Sequence, residues 1–147
     1  MAKNVLLIGA TGFVGSAILN ELISRGHKVT AIVRDANSLA GKEGVEAVVA
    51  DATNPAELAR LAKGKDAVIS AYNPGWKNPR QYEETMENYP KIVEGAKQAG
   101  VRRLLIVGGA GTLFVAPGVR LVDMTRPKRN LRKRQRSATT TKSSLRT

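Results

Sequence analysis

Four apolar residues, Val5-Leu6-Leu7-Ile8, run directly into Gly9-Ala10-Thr11-Gly12-Phe13-Val14-Gly15. A helically spaced apolar series, Val14, Ala17, Ile18 and Leu22, follows at once. A strand apolar at every position is buried on both faces, as in a parallel sheet. A glycine at its end permits a tight turn, a second lets a phosphate approach the backbone, and a third lets the helix pack on the strand. The helix start adds unpaired N–H groups and partial positive charge, which suit an anion. The spacing is Gly-x-x-Gly-x-x-Gly rather than Gly-x-Gly-x-x-Gly, and its place after the first strand gives it weight.

The rest of the chain alternates in the same way. Val29–Val33 reads as a second strand after a helix ended by Arg25-Gly26. Residues 36–44 read as a loop or short helix, and Val45–Ala50 as a third strand stopped by Asp51. Asn54-Pro55 opens a second helix, with proline at the first turn where its missing N–H costs little. Ala67–Ala71 is a fourth strand, Tyr72–Pro79 a loop, and Gln81–Ala99 a helix expected to be interrupted near Pro90. Leu104–Val107 is a fifth strand. The expected fold is α/β, a Rossmann-type doubly wound parallel sheet that is C-terminally incomplete, with a disordered basic tail. The expected division is a dinucleotide-binding domain over residues 1–123 and a basic tail over 124–147.

Composition narrows the function classes. There is no cysteine and a single histidine, His27, which argues against disulfides and against thiolate or histidine metal sites. His27 follows a helix end and is read as a surface residue. No run approaches the ~18 apolar residues of a membrane span, and the first residues leave no room for a signal peptide, so a cytoplasmic protein is expected. The net charge of +12 is uneven. Up to Asp123 there are 15 Lys and Arg against 12 Asp and Glu, whereas residues 124–147 carry 9 basic residues and no acid.

Residues Lys3–Gly15, Asp51 and Gly100–Gly111 resemble atypical short-chain dehydrogenases/reductases, closest to the NAD(P)H-binding, NADH-flavin-reductase-like group. The resemblance covers about Lys3 to Val122. It implies a nicotinamide cofactor held by Gly9, Ala10, Thr11, Gly12, Phe13, Val14 and Gly15, and reductase activity on an unidentified small molecule, a flavin or a quinone. It also makes Asp51, with Ala52, a candidate for the adenine edge, a strand-ending turn residue being the other reading; Ser70, Ala71 and Tyr72 end the fourth strand, where ligands bind in such sheets, and would lie beside the ribose and nicotinamide. Thr112 stands roughly where the family places a serine, and Asn88 resembles an asparagine in the helix before the fifth strand; these two are the candidate catalytic residues, a turn threonine and a surface asparagine being the plainer readings. No metal ligand is assigned.

After the second strand, Arg34 offers a planar donor fork suited to a 2′-phosphate, which favours NADP(H) over NAD(H). Asp35 beside it argues the other way, and an ordinary exposed arginine is the alternative. The Tyr-x-x-x-Lys pair of many short-chain dehydrogenases is missing: Tyr72, Tyr82 and Tyr89 are followed four residues later by Trp76, Met86 and Val93. Flavin takes hydride readily without an acid, and Tyr72 and Trp76 are candidate stacking faces; Trp76 packing its loop onto the body is the other reading. The missing pair leaves room for a non-catalytic NAD(P)-binding sensor, or a truncated, inactive cofactor domain. The cation run Arg126, Lys128, Arg129, Arg132, Lys133, Arg134 and Arg136 has no interleaved aromatics, so any nucleic-acid contact would be non-specific. Because Glu codons read out of frame become Lys and Arg codons, a frameshifted C-terminus is expected over a native nucleic-acid arm, an engineered tail being the remaining reading.

Overall fold

The computed structural model describes residues 2–109 and 113–125. By its contacts the chain divides into two compact units, residues 1–107 and 108–147. In the first unit the elements follow in the order β1 (Asn4–Ile8), α1 (Phe13–Ser24), β2 (Lys28–Val33), a 3-10 turn (Ala36–Leu39), β3 (Val45–Val49), α2 (Pro55–Ala62), β4 (Ala67–Ser70), α3 (Gln81–Gln98) and β5 (Arg103–Ile106). All five strands are parallel, in the order β3-β2-β1-β4-β5. The strand order reverses between β1 and β4, and the crevice beyond their carboxyl ends is where ligands bind in such sheets.

The apolar runs of β1 and β2 are split by the two-residue period of a strand. Leu6, Ile8, Ile32 and Val68 pack with Leu58 and Ala62 of α2 and with Ile92 and Ala96 of α3. Leu7, Val29 and Ala31 pack instead with Leu19 of α1, supported by Ile18 and Leu22. Both faces are therefore covered, which is why β1 and β2 carry no polar alternation. At β5 the cover is one-sided: Leu104 joins the α2–α3 cluster, while Leu105 is 59% exposed. Among the described residues β5 pairs with β4 alone.

Asn54 caps α2 as its sequence suggests, its Oδ1 accepting from the backbone N–H of Ala56 at 3.1 Å, with Pro55 in the first turn. Pro90 does not interrupt α3, which is continuous from Gln81 to Gln98. The proline removes one backbone donor on an exposed face, and Ile92, Gly95 and Ala96 just beyond it are buried, so packing holds the helix together.

The second unit has a short antiparallel hairpin, β6 (Phe114–Ala116) and β7 (Val119–Arg120), followed by α4 (Leu121–Thr125). Strands of three and two residues carry no readable periodicity, and the sequence reading assigned none here; Pro117-Gly118 is the only turn signal. The tail expected to be disordered lies outside the described residues, apart from Met124 and Thr125 in α4. Thr112 also lies outside them. No helix among the described residues is long and apolar enough to cross a membrane.

Candidate functional site

The glycine loop joins β1 to α1 at the carboxyl edge of the sheet. Gly9 has φ +79°, and a Cβ there would stand 2.6 Å from the Ala71 carbonyl oxygen, so only glycine lets β1 and β4 close together at this point. A Cβ on Gly15 would fall 1.7 Å from the Gly9 oxygen, which is what brings α1 onto the turn. Gly12 differs: its nearest neighbour would be the Gly9 oxygen at 3.6 Å, ordinary contact. The fold does not need glycine there, so the space in front of it fits an incoming group. Gly12 caps α1 without any side-chain hydrogen bond, which leaves the first-turn donors for an anion.

Beside this loop lies a cavity of about 890 Å³. Gly9, Thr11 and Gly12 line it from the turn; Arg34, Asp35 and Ser38 line it from beyond β2; Asp51, Ala52 and Thr53 line it from beyond β3. Ala71, Tyr72 and Asn73 approach from beyond β4, and Glu84, Glu87 and Asn88 from α3 with Arg80 at its N-cap. Nine of the fifteen sequence candidates thus meet around one cavity, brought together from four strand ends and one helix. Ala10 is buried and borders a smaller neighbouring cavity, Ser70 is buried beneath the β4 end, and Phe13 and Val14 are exposed.

Asp35 caps the 3-10 turn, its Oδ1 accepting from the Asn37 N–H at 2.9 Å. That contact engages one oxygen of the carboxylate beside Arg34. Asp51 accepts from both the hydroxyl (2.6 Å) and the backbone N–H (2.9 Å) of Thr53. These bonds, with the positive charges of Arg34 and Lys91 nearby, hold its carboxyl below the usual carboxylate range against a smaller opposing effect of burial. Thr53 went unread in the sequence; the Asp-x-Thr spacing was the available signal.

At the β4 end, Asn88 Nδ2 donates to the Tyr72 hydroxyl at 2.7 Å. The Tyr89 hydroxyl lies 3.4 Å from the Tyr72 carbonyl oxygen and 3.3 Å from that of Val107. Burial, then the neighbouring Tyr72, push the Tyr89 phenol above its ordinary range, so it stays a donor. Trp76 is 84% exposed and absent from the cavity wall, so it does not pack its loop onto the body. His27 sits at the opposite edge of the sheet, where Nδ1 accepts from the Lys3 N–H at 3.0 Å.

The profile of an NAD(P)H-binding family matches residues 9–145. The chain belongs to that family. The match starts at the first loop glycine and extends beyond Val122, the limit of the resemblance read from the sequence. This NAD(P)H-binding domain is 39% identical over 121 residues to the uncharacterised protein YwnB of Bacillus subtilis, covering 80% of this chain and 53% of YwnB. Among solved structures it is similar to a candidate epimerase from Bacteroides thetaiotaomicron, with 46% identity, a TM-score of 0.72, and coverage of 89% of this chain and 58% of that one. It is also similar to a candidate NADH-flavin reductase from Streptococcus pneumoniae, with 32% identity, a TM-score of 0.61, and coverage of 87% and 59%. The chain therefore spans little more than half the length of these relatives.

Proposed function

We propose that this domain prefers NADPH and serves a reductase of the atypical short-chain dehydrogenase type whose acceptor is a flavin or a quinone. The observation that carries the reading is the open face of Gly12 on a cavity running from Arg34 and Asp51 to Tyr72 and Asn88. In this reading the backbone of residues 9–15 holds the pyrophosphate. Arg34 takes the 2′-phosphate, Asp51 and Ala52 border the adenine, and Ser70, Ala71 and Tyr72 line the ribose and nicotinamide end. When bound, the nicotinamide supplies hydride; the chain's own residues orient it and exclude water. Thr112 keeps its proposed role as a hydrogen-bonding residue on sequence grounds. The similarity to the Streptococcus pneumoniae protein supports a flavin acceptor.

The test pairs calorimetric titration with NADPH and NADH with steady-state NADPH oxidation in the presence of FMN or menadione. Tight NADPH binding with turnover of either acceptor is the expected result. Absence of dinucleotide binding overturns it. Binding without turnover favours the second reading, a dinucleotide sensor, for which the missing Tyr-x-x-x-Lys pair is the specific observation.

A further inference from the structure

Tyr72 is fixed at four points. Its N–H donates to Ser70 Oγ at 3.3 Å, and its carbonyl oxygen lies within reach of the Tyr89 hydroxyl. Its ring meets the Tyr89 ring edge-on, with centroids 6.2 Å apart. Its hydroxyl oxygen accepts from Asn88 Nδ2. An amide nitrogen has no lone pair to offer, so the phenolic hydrogen is not spent on Asn88. No acceptor for it is found among the described residues. Asn88 is itself anchored, because Ile92 and Ala96 follow it on α3 at four-residue intervals and are buried. Both side chains face the cavity. β4 opens the second half of the doubly wound sheet, the half that receives the nicotinamide end of a dinucleotide in such folds.

We propose that the Tyr72 hydroxyl is the proton donor to a carbonyl oxygen of a quinone substrate, and that Asn88 is its positioning residue. The proposal rests on the reductase reading above and narrows its acceptor. Hydride arriving on the quinone pushes an electron pair onto a carbonyl oxygen. That oxygen takes the Tyr72 proton, and the electrons of the broken O–H bond stay on Tyr72 as a phenolate. The Asn88 N–H bond then falls on a charged oxygen and strengthens. Water returns the proton to Tyr72. The balance is quinone plus NAD(P)H plus a proton, giving hydroquinone plus NAD(P)⁺. A neutral amide stabilises phenolate less than a lysine would, which suits an acceptor that takes hydride easily.

The experiment uses the full chain with menadione as probe, comparing wild type with Tyr72→Phe and Asn88→Asp. Dissociation constants are measured for NADPH, and for menadione with NADP⁺ bound, alongside steady-state reduction. Tyr72→Phe is expected to leave NADPH affinity within about twofold, to weaken menadione about three- to tenfold, and to lower kcat about 100-fold or more. In Asn88→Asp the carboxylate accepts a hydrogen bond from the Tyr72 hydroxyl and turns its hydrogen away from the substrate, so kcat falls similarly at neutral pH. It recovers as pH drops through the carboxylate range and the acid becomes a donor again, a pH response that a purely structural role would not produce. Wild-type kcat and menadione affinity in Tyr72→Phe, or no acid recovery in Asn88→Asp, overturns the proposal. So does a wild type that binds NADPH yet neither binds nor reduces menadione, and in that case dinucleotide binding stands. A wild type that fails to bind NADPH sinks the underlying reading as well.

Discussion

A Cβ at position 15 would collide with the Gly9 carbonyl, whereas one at position 12 would make only an ordinary contact with it, at 3.6 Å. The two glycines therefore predict different outcomes from similar substitutions. Gly12→Val should fold with an unchanged circular dichroism spectrum and only a small drop in melting temperature from the poorer N-cap, and lose at least about tenfold in NADPH affinity, because the side chain occupies the phosphate's approach; calorimetry checks it. Arg34→Ala should cost NADPH about 1.5–3 kcal/mol, or about 10- to 150-fold, and leave NADH nearly untouched. A parallel loss of both cofactors would mean that Arg34 serves their shared part. Asp51 has a depressed carboxyl, so its contribution to stability is complete above the usual carboxylate range and disappears as pH falls through its lowered folded value. Asp51→Asn should be less stable at neutral pH by about 0.5–1 kcal/mol, and urea titrations should show the gap closing in acid. The glycine loop was legible because its spacing is local. The Tyr72–Asn88 bond was not, because 16 residues separate partners that only the crossing of β4 and α3 brings together.

At the scale of elements, α2 and α3 meet at a glycine. A Cβ on Gly95 would stand 2.8 Å from the Leu58 side chain, and Leu58 is fully buried. Gly95→Val should push the helices apart and cost about 1–3 kcal/mol, read as a lower melting temperature. Because α3 also carries Asn88, the same change should weaken menadione binding more than NADPH binding. The five strands of the sheet and the first two helices could be read from period and caps alone, since each is locally self-consistent. Pro90 misled, because propensity ignores the burial of Ile92 and Ala96 that keeps α3 continuous. The β6–β7 hairpin escaped notice because its strands are shorter than the period needed to detect them.

At the scale of the whole molecule, charge is divided unevenly along the chain. Residues 126–147 hold 9 of the 24 Lys and Arg and no acid. Association with DNA should therefore be weak, sequence-independent and steeply reduced by salt. A chain ending at Thr125 should lose that association while keeping its dinucleotide affinity; fluorescence anisotropy at low and physiological salt tests both halves of the statement. The last feature with reach beyond the site is β5, which among the described residues pairs on one side and shows Leu105 to solvent. Such a margin accepts any extended segment that comes alongside, whatever its origin. How long a preparation stays clear on the bench should then depend more on how concentrated it is than on how warm it is, and the arginines flanking that margin, Arg102 and Arg103, should keep it clear best when little salt is present to mask them.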